Sequence, residues 1–117
     1  MRLTAQEVAV QALLAALGGV RVSTSMPDPR PAEHVIVSRV GGASPPFGAR
    51  VPRFLVECYA PSELEAERLG EWVHEVWKTL RTHGINWSST DDNLVPYDAP
   101  DEKHHRFQFT GSLQILL

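Results

Sequence analysis

One cysteine, Cys58, and five histidines, His34, His74, His83, His104 and His105, are the side chains through which this chain could do covalent or metal chemistry. A thiolate nucleophile needs a base within reach, and His74 is the candidate; the chemistry would be that of a small α+β hydrolase or ligand-binding domain. Cys58, however, falls on the alternating face Phe54, Val56, Cys58 of a strand-like run, the place of a small buried hydrophobe. The histidines have no H-E-x-x-H or comparable spacing, and the adjacent pair His104 and His105 would point to opposite sides of a strand, so no metal site is expected. Asp91-Asp92-Asn93 through Asp98 and Asp101 carries the charge of an ion-binding loop. It lacks the D-x-D/N-x-D/N-G order and the closing glutamate of a calcium shell. Gly41-Gly42 belongs to neither G-x-G-x-x-G nor G-x-x-x-x-G-K-S/T, so no nucleotide and no other cofactor is expected. Catalytic residues are therefore none, and the chain reads as a non-enzyme.

The bulk numbers agree with an ordinary globular chain. Its 117 residues are 43% hydrophobic and 21% charged, with a formal net charge of -3. That length suits a single domain, residues 1–117, with one core. No apolar run approaches the roughly 20 residues of a bilayer span, and Met1-Arg2-Leu3-Thr4 leads straight into a helix, so a cytoplasmic origin without membrane contact is expected. A lone cysteine forms no internal disulfide. Charge is uneven: Arg21, Arg30, Arg39, Arg50 and Arg53 outnumber Asp28, Glu33 and Glu57 in the first half. Asp91, Asp92, Asp98, Asp101 and Glu102 then crowd one later loop beside Lys103. Such a loop repels phosphates, which argues against sequence-specific DNA reading.

The elements that must position these groups are legible. Thr4-Ala5-Gln6-Glu7 is a capping box, Val10, Leu13, Leu14 and Leu17 form an apolar stripe, and Gly18-Gly19 ends the helix, which therefore spans Thr4 to about Leu17. Val20 to Thr24 reads as a short strand and Met26 to Pro31 as a proline-stiffened connector. His34 to Val40 and Arg53 to Tyr59 alternate as two antiparallel strands around a projecting loop, Gly41 to Arg50. Ser62-Glu63-Leu64-Glu65 is a second capping box. Behind it Leu69, Trp72, Val73, Val76 and Leu80 form a stripe that makes packing on the sheet compulsory, with Gly84 ending the helix. Trp72 is then core, while Trp77, off the stripe, is a candidate exposed anchor. Ile85 to Ser88 suits an edge strand, Thr90 to His104 a polar loop, and Arg106 to Leu117 a long strand with one apolar and one polar face. The predicted class is α+β: a mixed, mostly antiparallel sheet of four to five strands with two main helices packed on it, in the order α-β-β-β-α-β-β.

The connector and strand "PRPAEHVIVSRVGG", the strand and helix "RFLVECYAPSELEAERLGEWVHEVW" and the terminal strand "HRFQFTGSLQILL" resemble the tail-terminator proteins of long-tailed, siphovirus-like bacteriophages, especially those of actinobacteriophages. The resemblance lies in element order, length and residue flavour and covers nearly the whole chain. It implies a structural virion protein that forms a homohexameric ring at the tail-neck junction, after assembly in the host cytoplasm. Such a ring caps the tail tube, stops its polymerisation and joins the tail to the head-completion, or neck, protein. The major tail-tube protein, the neck protein and other copies of the chain are the implied partners, with DNA passing through unread. Another neck or tail-completion protein is the neighbouring alternative.

A closed ring needs two different, complementary patches on each subunit. Arg39, Phe47, Arg50, Arg53, Glu63, Glu67 and Trp77 are the expected interface residues. Asp91, Asp92, Asp98, Asp101 and Glu102 are the expected channel-facing ones, where negative charge would limit sticking to DNA. The polar face Gln108, Thr110, Ser112 and Gln114 is a further candidate for contact between subunits.

Overall fold

Thr4 starts the first helix as its capping box predicts. In the computed structural model, which describes residues 2–43, 48–97 and 104–116, the Glu7 N–H donates to the Thr4 hydroxyl at 3.1 Å and the Thr4 N–H donates to the Glu7 carboxylate at 3.1 Å. Helix α1 runs Ala5–Leu17 and closes at Gly18, whose left-handed φ of 51° returns its N–H to the Leu14 carbonyl. There follow β1 (Arg21–Ser23), β2 (His34–Ala43), β3 (Ala49–Ala60), α2 (Glu63–Trp77), β4 (Ile85–Thr90), β5 (Val95–Tyr97) and β6 (His105–Leu116). The expected α+β class and element order hold, with the three-residue β5 added where a polar loop is predicted.

The sheet order is β1-β2-β3-β6-β4, and β5 pairs with the other half of β6. β1 joins β2 in parallel, and every other pairing is antiparallel. Register aligns Val35 with Cys58 and Phe107, Val37 with Val56 and Phe109, and Phe54 with Gly111. These rows form one face of the sheet, and both helices bury against it. The opposite face carries the half-buried Leu55, Glu57, Gln108, Thr110, Ser112 and Gln114. β2 and β3 extend beyond their predicted ends into the expected projecting loop, whose residues 44–47, Phe47 among them, lie outside the described residues.

Leu13 and Leu17 of the first predicted stripe and Leu69, Val73 and Leu80 of the second are buried, with Val10 and Val76 packed on the core, but each helix is turned enough to expose one expected residue. α1 buries Ala5, Val8, Ala9, Ala12, Leu13 and Leu17, while Leu14 is 41% exposed. α2 buries Ala66, Leu69, Gly70, Val73, His74 and Trp77, and ends at Trp77 rather than near Gly84. Trp72 and Trp77 therefore exchange their expected roles: Trp72 is 45% exposed and Trp77 is fully buried. The cause is steric. Gly70 sits so close to β6 that a Cβ there would lie 3.1 Å from both Leu94 Cδ1 and Phe107 Cβ, which fixes small residues as the contact line. The Trp77 indole lies edge-on to Phe54 and Phe109 and donates from Nε1 to the Ser89 carbonyl at 3.0 Å. Its space exists because residue 111 is glycine: a Cβ there would stand 2.6 Å from Nε1. A buried indole with its N–H satisfied is a stable arrangement.

In α2 the second capping box is half formed. Ser62 Oγ accepts from the Glu65 N–H at 3.2 Å and donates to the Glu65 carboxylate at 3.2 Å, so the two side chains meet each other.

Candidate functional site

The nucleophile reading fails on access. Cys58 is 0% exposed in the core row between Val35 and Phe107, and burial, reinforced by the Glu57 charge, pushes its thiol pKa up. A thiol held protonated in an apolar layer is a packing group. His74 lies edge-on to Phe109 with its Nε2 3.8 Å from Asp92 Oδ1. Among the described residues no three His, Cys, Asp or Glu side chains come together as a metal set. What remains is a set of surfaces.

The open sheet face holds two networks. Toward the end where β2 begins, Arg106 pairs with Glu57, donates to the Tyr59 hydroxyl at 2.9 Å and lies 4.0 Å over the Tyr97 ring. His34 stacks on Tyr59 at 4.7 Å, and His104 meets His34 edge-on at 5.9 Å. Burial, opposed by the Pro31 carbonyl and aided by the charges of Arg30, His104 and Arg21, holds the His34 pKa below its ordinary value. In the second network Arg53 pairs with Asp91, both bond Thr110 Oγ1, and the Thr110 N–H donates to Asn93 Oδ1 at 3.0 Å. Arg53, expected at an interface, and Asp91, expected in a channel, thus hold each other across the sheet. Asp92 lies 3.6 Å from Lys78 Nζ. Asp98, Asp101 and Glu102 lie outside the described residues.

A different cluster forms at the β2–β3 hairpin end. Arg2, Arg39 and Arg50 line a shallow cleft of about 360 Å³ together with Leu3, Thr4 and Ala5 at the start of α1. Arg50 donates to the Leu3 carbonyl at 2.9 Å, and Arg39 to the carbonyl of Gly41 at 3.2 Å. Burial, then the like charges of Arg2 and Arg39, lowers the Arg50 pKa. Arg39 and Arg50 were legible as basic candidates; Arg2 was missed because it precedes the first predicted element.

The first half of α2 has the opposite character. Glu63, Glu65 and Glu71 are exposed and Glu67 is half-buried, with Arg68 the basic side chain among them. Glu33, Glu65, Arg68, Leu69 and Trp72 line a groove of about 350 Å³. Leu64, 70% exposed, and Trp72 supply apolar surface to this acidic face. Trp77 does not reach the surface, and Trp72, beside Glu65 and Arg68 in the groove, is the exposed aromatic of this helix.

The structure is thus a two-helix, six-stranded α+β fold with a buried thiol and with charged, partly apolar surfaces among the described residues. No protein-family model and no curated protein sequence matches it. Among solved structures, a chain of the "Virion of native gene transfer agent (GTA) particle" shares the fold with a TM-score of 0.65 and 16% sequence identity, over 97% of this chain and 95% of that one.

Proposed function

We propose that this chain is a structural virion protein of a phage-like particle, a tail terminator without enzymatic activity. The carrying observation is the fold shared, end to end on both sides, with a chain of a gene transfer agent virion. The likeness spans 97% of this chain and 95% of that one and is therefore one of the whole described architecture rather than of a local motif. The resemblance of the strand-connector-helix pattern to phage tail terminators supports the finer reading. So does a surface made of charged and apolar patches around a core whose single thiol is sealed. In this reading the chain closes into a hexameric ring at the tail-neck junction and caps the tail tube. It receives the head-completion protein on its other side and lets DNA pass unread. No helix among the described residues is long and apolar enough to cross a membrane.

The test is mass by light scattering, alone and with purified tail-tube protein. A ring of six, or tubes carrying such a ring at one end, is the expected result. A chain that stays monomeric and leaves tube ends bare contradicts the proposal. A chain that ignores tubes but binds the head-completion protein belongs instead to a neighbouring neck component.

A further inference from the structure

Among the described residues no carboxylate neutralises the arginine cleft within one protomer. Among the described residues none of Arg2, Arg39 and Arg50 makes an ion pair, and the nearby Glu7 carboxylate is turned back to the Thr4 N–H. The first N–H groups of α1 add positive potential to the same spot, since the start of a helix leaves them without intrahelical partners. The groove at Glu33 and Glu65, which Arg68 also lines, stands toward the other end of the sheet. Arg39 stands in register with Phe54, six residues short of Ala60, where β3 ends just before α2, so at roughly 3.3 Å per residue roughly 20 Å of strand separates it from the start of α2. That is more than twice the Debye length of roughly 8 Å at physiological salt, so the cleft and these carboxylates are largely screened from each other inside one copy.

Both sites also carry large apolar groups in the open. Val40, 51% exposed, follows Arg39 in β2. Trp72, 45% exposed, lines the groove with Glu33 and Glu65. A phosphate backbone would satisfy the guanidiniums and leave these apolar groups, and the acidic groove, without a role. Charge bordered by apolar surface is the composition of a protein–protein contact.

The geometry points to a head-to-tail contact between copies of this chain. The cleft of Arg2, Arg39 and Arg50 receives Glu33 and Glu65 of the next copy, while Val40 meets its Trp72. This rests on the ring reading above and names its interface. Two different patches meeting in this way make a heterologous contact, the kind that closes into a ring when the rotation per copy divides a full turn.

Charge reversal tests it. R39E/R50E and E33R/E65R, each checked for folding by circular dichroism, are expected to need at least about tenfold more protein to assemble than the parent chain. Mixed in equal amounts they are expected to recover assembly, because an alternating ring then sets opposite charges against each other at every contact. R39E alone, at an exposed position, serves if the double variant does not fold, and is expected to weaken assembly in the same direction. Higher salt should weaken the parent ring as well. Rings of unchanged stability in all the variants would overturn this contact and leave the ring reading intact; a parent that never assembles would overturn both. Loss of duplex-DNA binding in R39E with assembly unchanged would assign the cleft to phosphate and also overturn it.

Discussion

At the scale of single residues, two buried side chains carry consequences that can be measured. Trp77 fills the layer between α2 and β6 with its N–H bonded to Ser89, whereas Trp72, five positions earlier, stands half in water. Trp77→Ala is expected to cost about 3–5 kcal/mol in denaturant unfolding, and Trp72→Ala to stay within about 0.5 kcal/mol. Gly111→Ala forces a methyl against the indole and should cost about 1–3 kcal/mol. His34 makes a pH prediction. Its folded pKa lies below the ordinary value chiefly because the ring is buried, so the folded state favours neutral imidazole. The unfolded chain takes up the proton near pH 6.5, roughly, and stability is therefore complete above that pH and declines as pH falls through it toward the folded pKa. The urea midpoint is expected to drop between about pH 7.5 and about pH 5. His34→Phe keeps a ring against Tyr59 and removes the titrating group, so its profile should be flatter over the same interval.

At the scale of elements, helix starts, strand alternation and the two-faced last strand were all readable, because each is a local decision. Thr4 with Glu7 closes one turn on itself, and β6 buries Phe107, Phe109, Gly111, Leu113 and Ile115 while its intervening residues stay half exposed. Thr4→Ala should accordingly cost about 1 kcal/mol, read as a shift of the thermal or urea midpoint. Helix phase was misread because it depends on the partner surface. A stripe drawn through the bulky residues of α2 favours Trp72 and Val76, but the sheet admits α2 along Ala66 and Gly70, where backbones come closest. α1 repeats the lesson, burying Ala5, Ala9 and Ala12 and leaving Leu14 out. Small residues at intervals of three and four were the available signal. The β5 strand was hidden for another reason: Pro96 interrupts a three-residue segment whose pairing with β6 is entirely long-range.

At the scale of the whole molecule, the chain measures 45 × 29 × 23 Å, with 12-residue strands β3 and β6 at its centre. That geometry separates two patches: Arg2, Arg39 and Arg50 stand at the hairpin end, and the carboxylates of α2, with Arg68 among them, begin toward the other. Arg39 and Arg50 could be chosen as basic candidates from charge alone, whereas Glu63 and Glu67, chosen in the same way, lie on α2 outside the groove that Glu33 and Glu65 line. Arg53 could not be told from the two arginines, since its pairing with Asp91 spans β3 to the segment after β4 and is invisible before the sheet is assembled. The assembly role proposed above rests on the fold shared with a chain of a gene transfer agent virion and on these separated patches.

The most direct test of that claim is electron microscopy of tail-tube protein polymerising with and without this chain. The account predicts that tubes stop growing when the chain is added, with a six-fold ring of density on one end. Tubes that lengthen at the same rate with bare ends would contradict it.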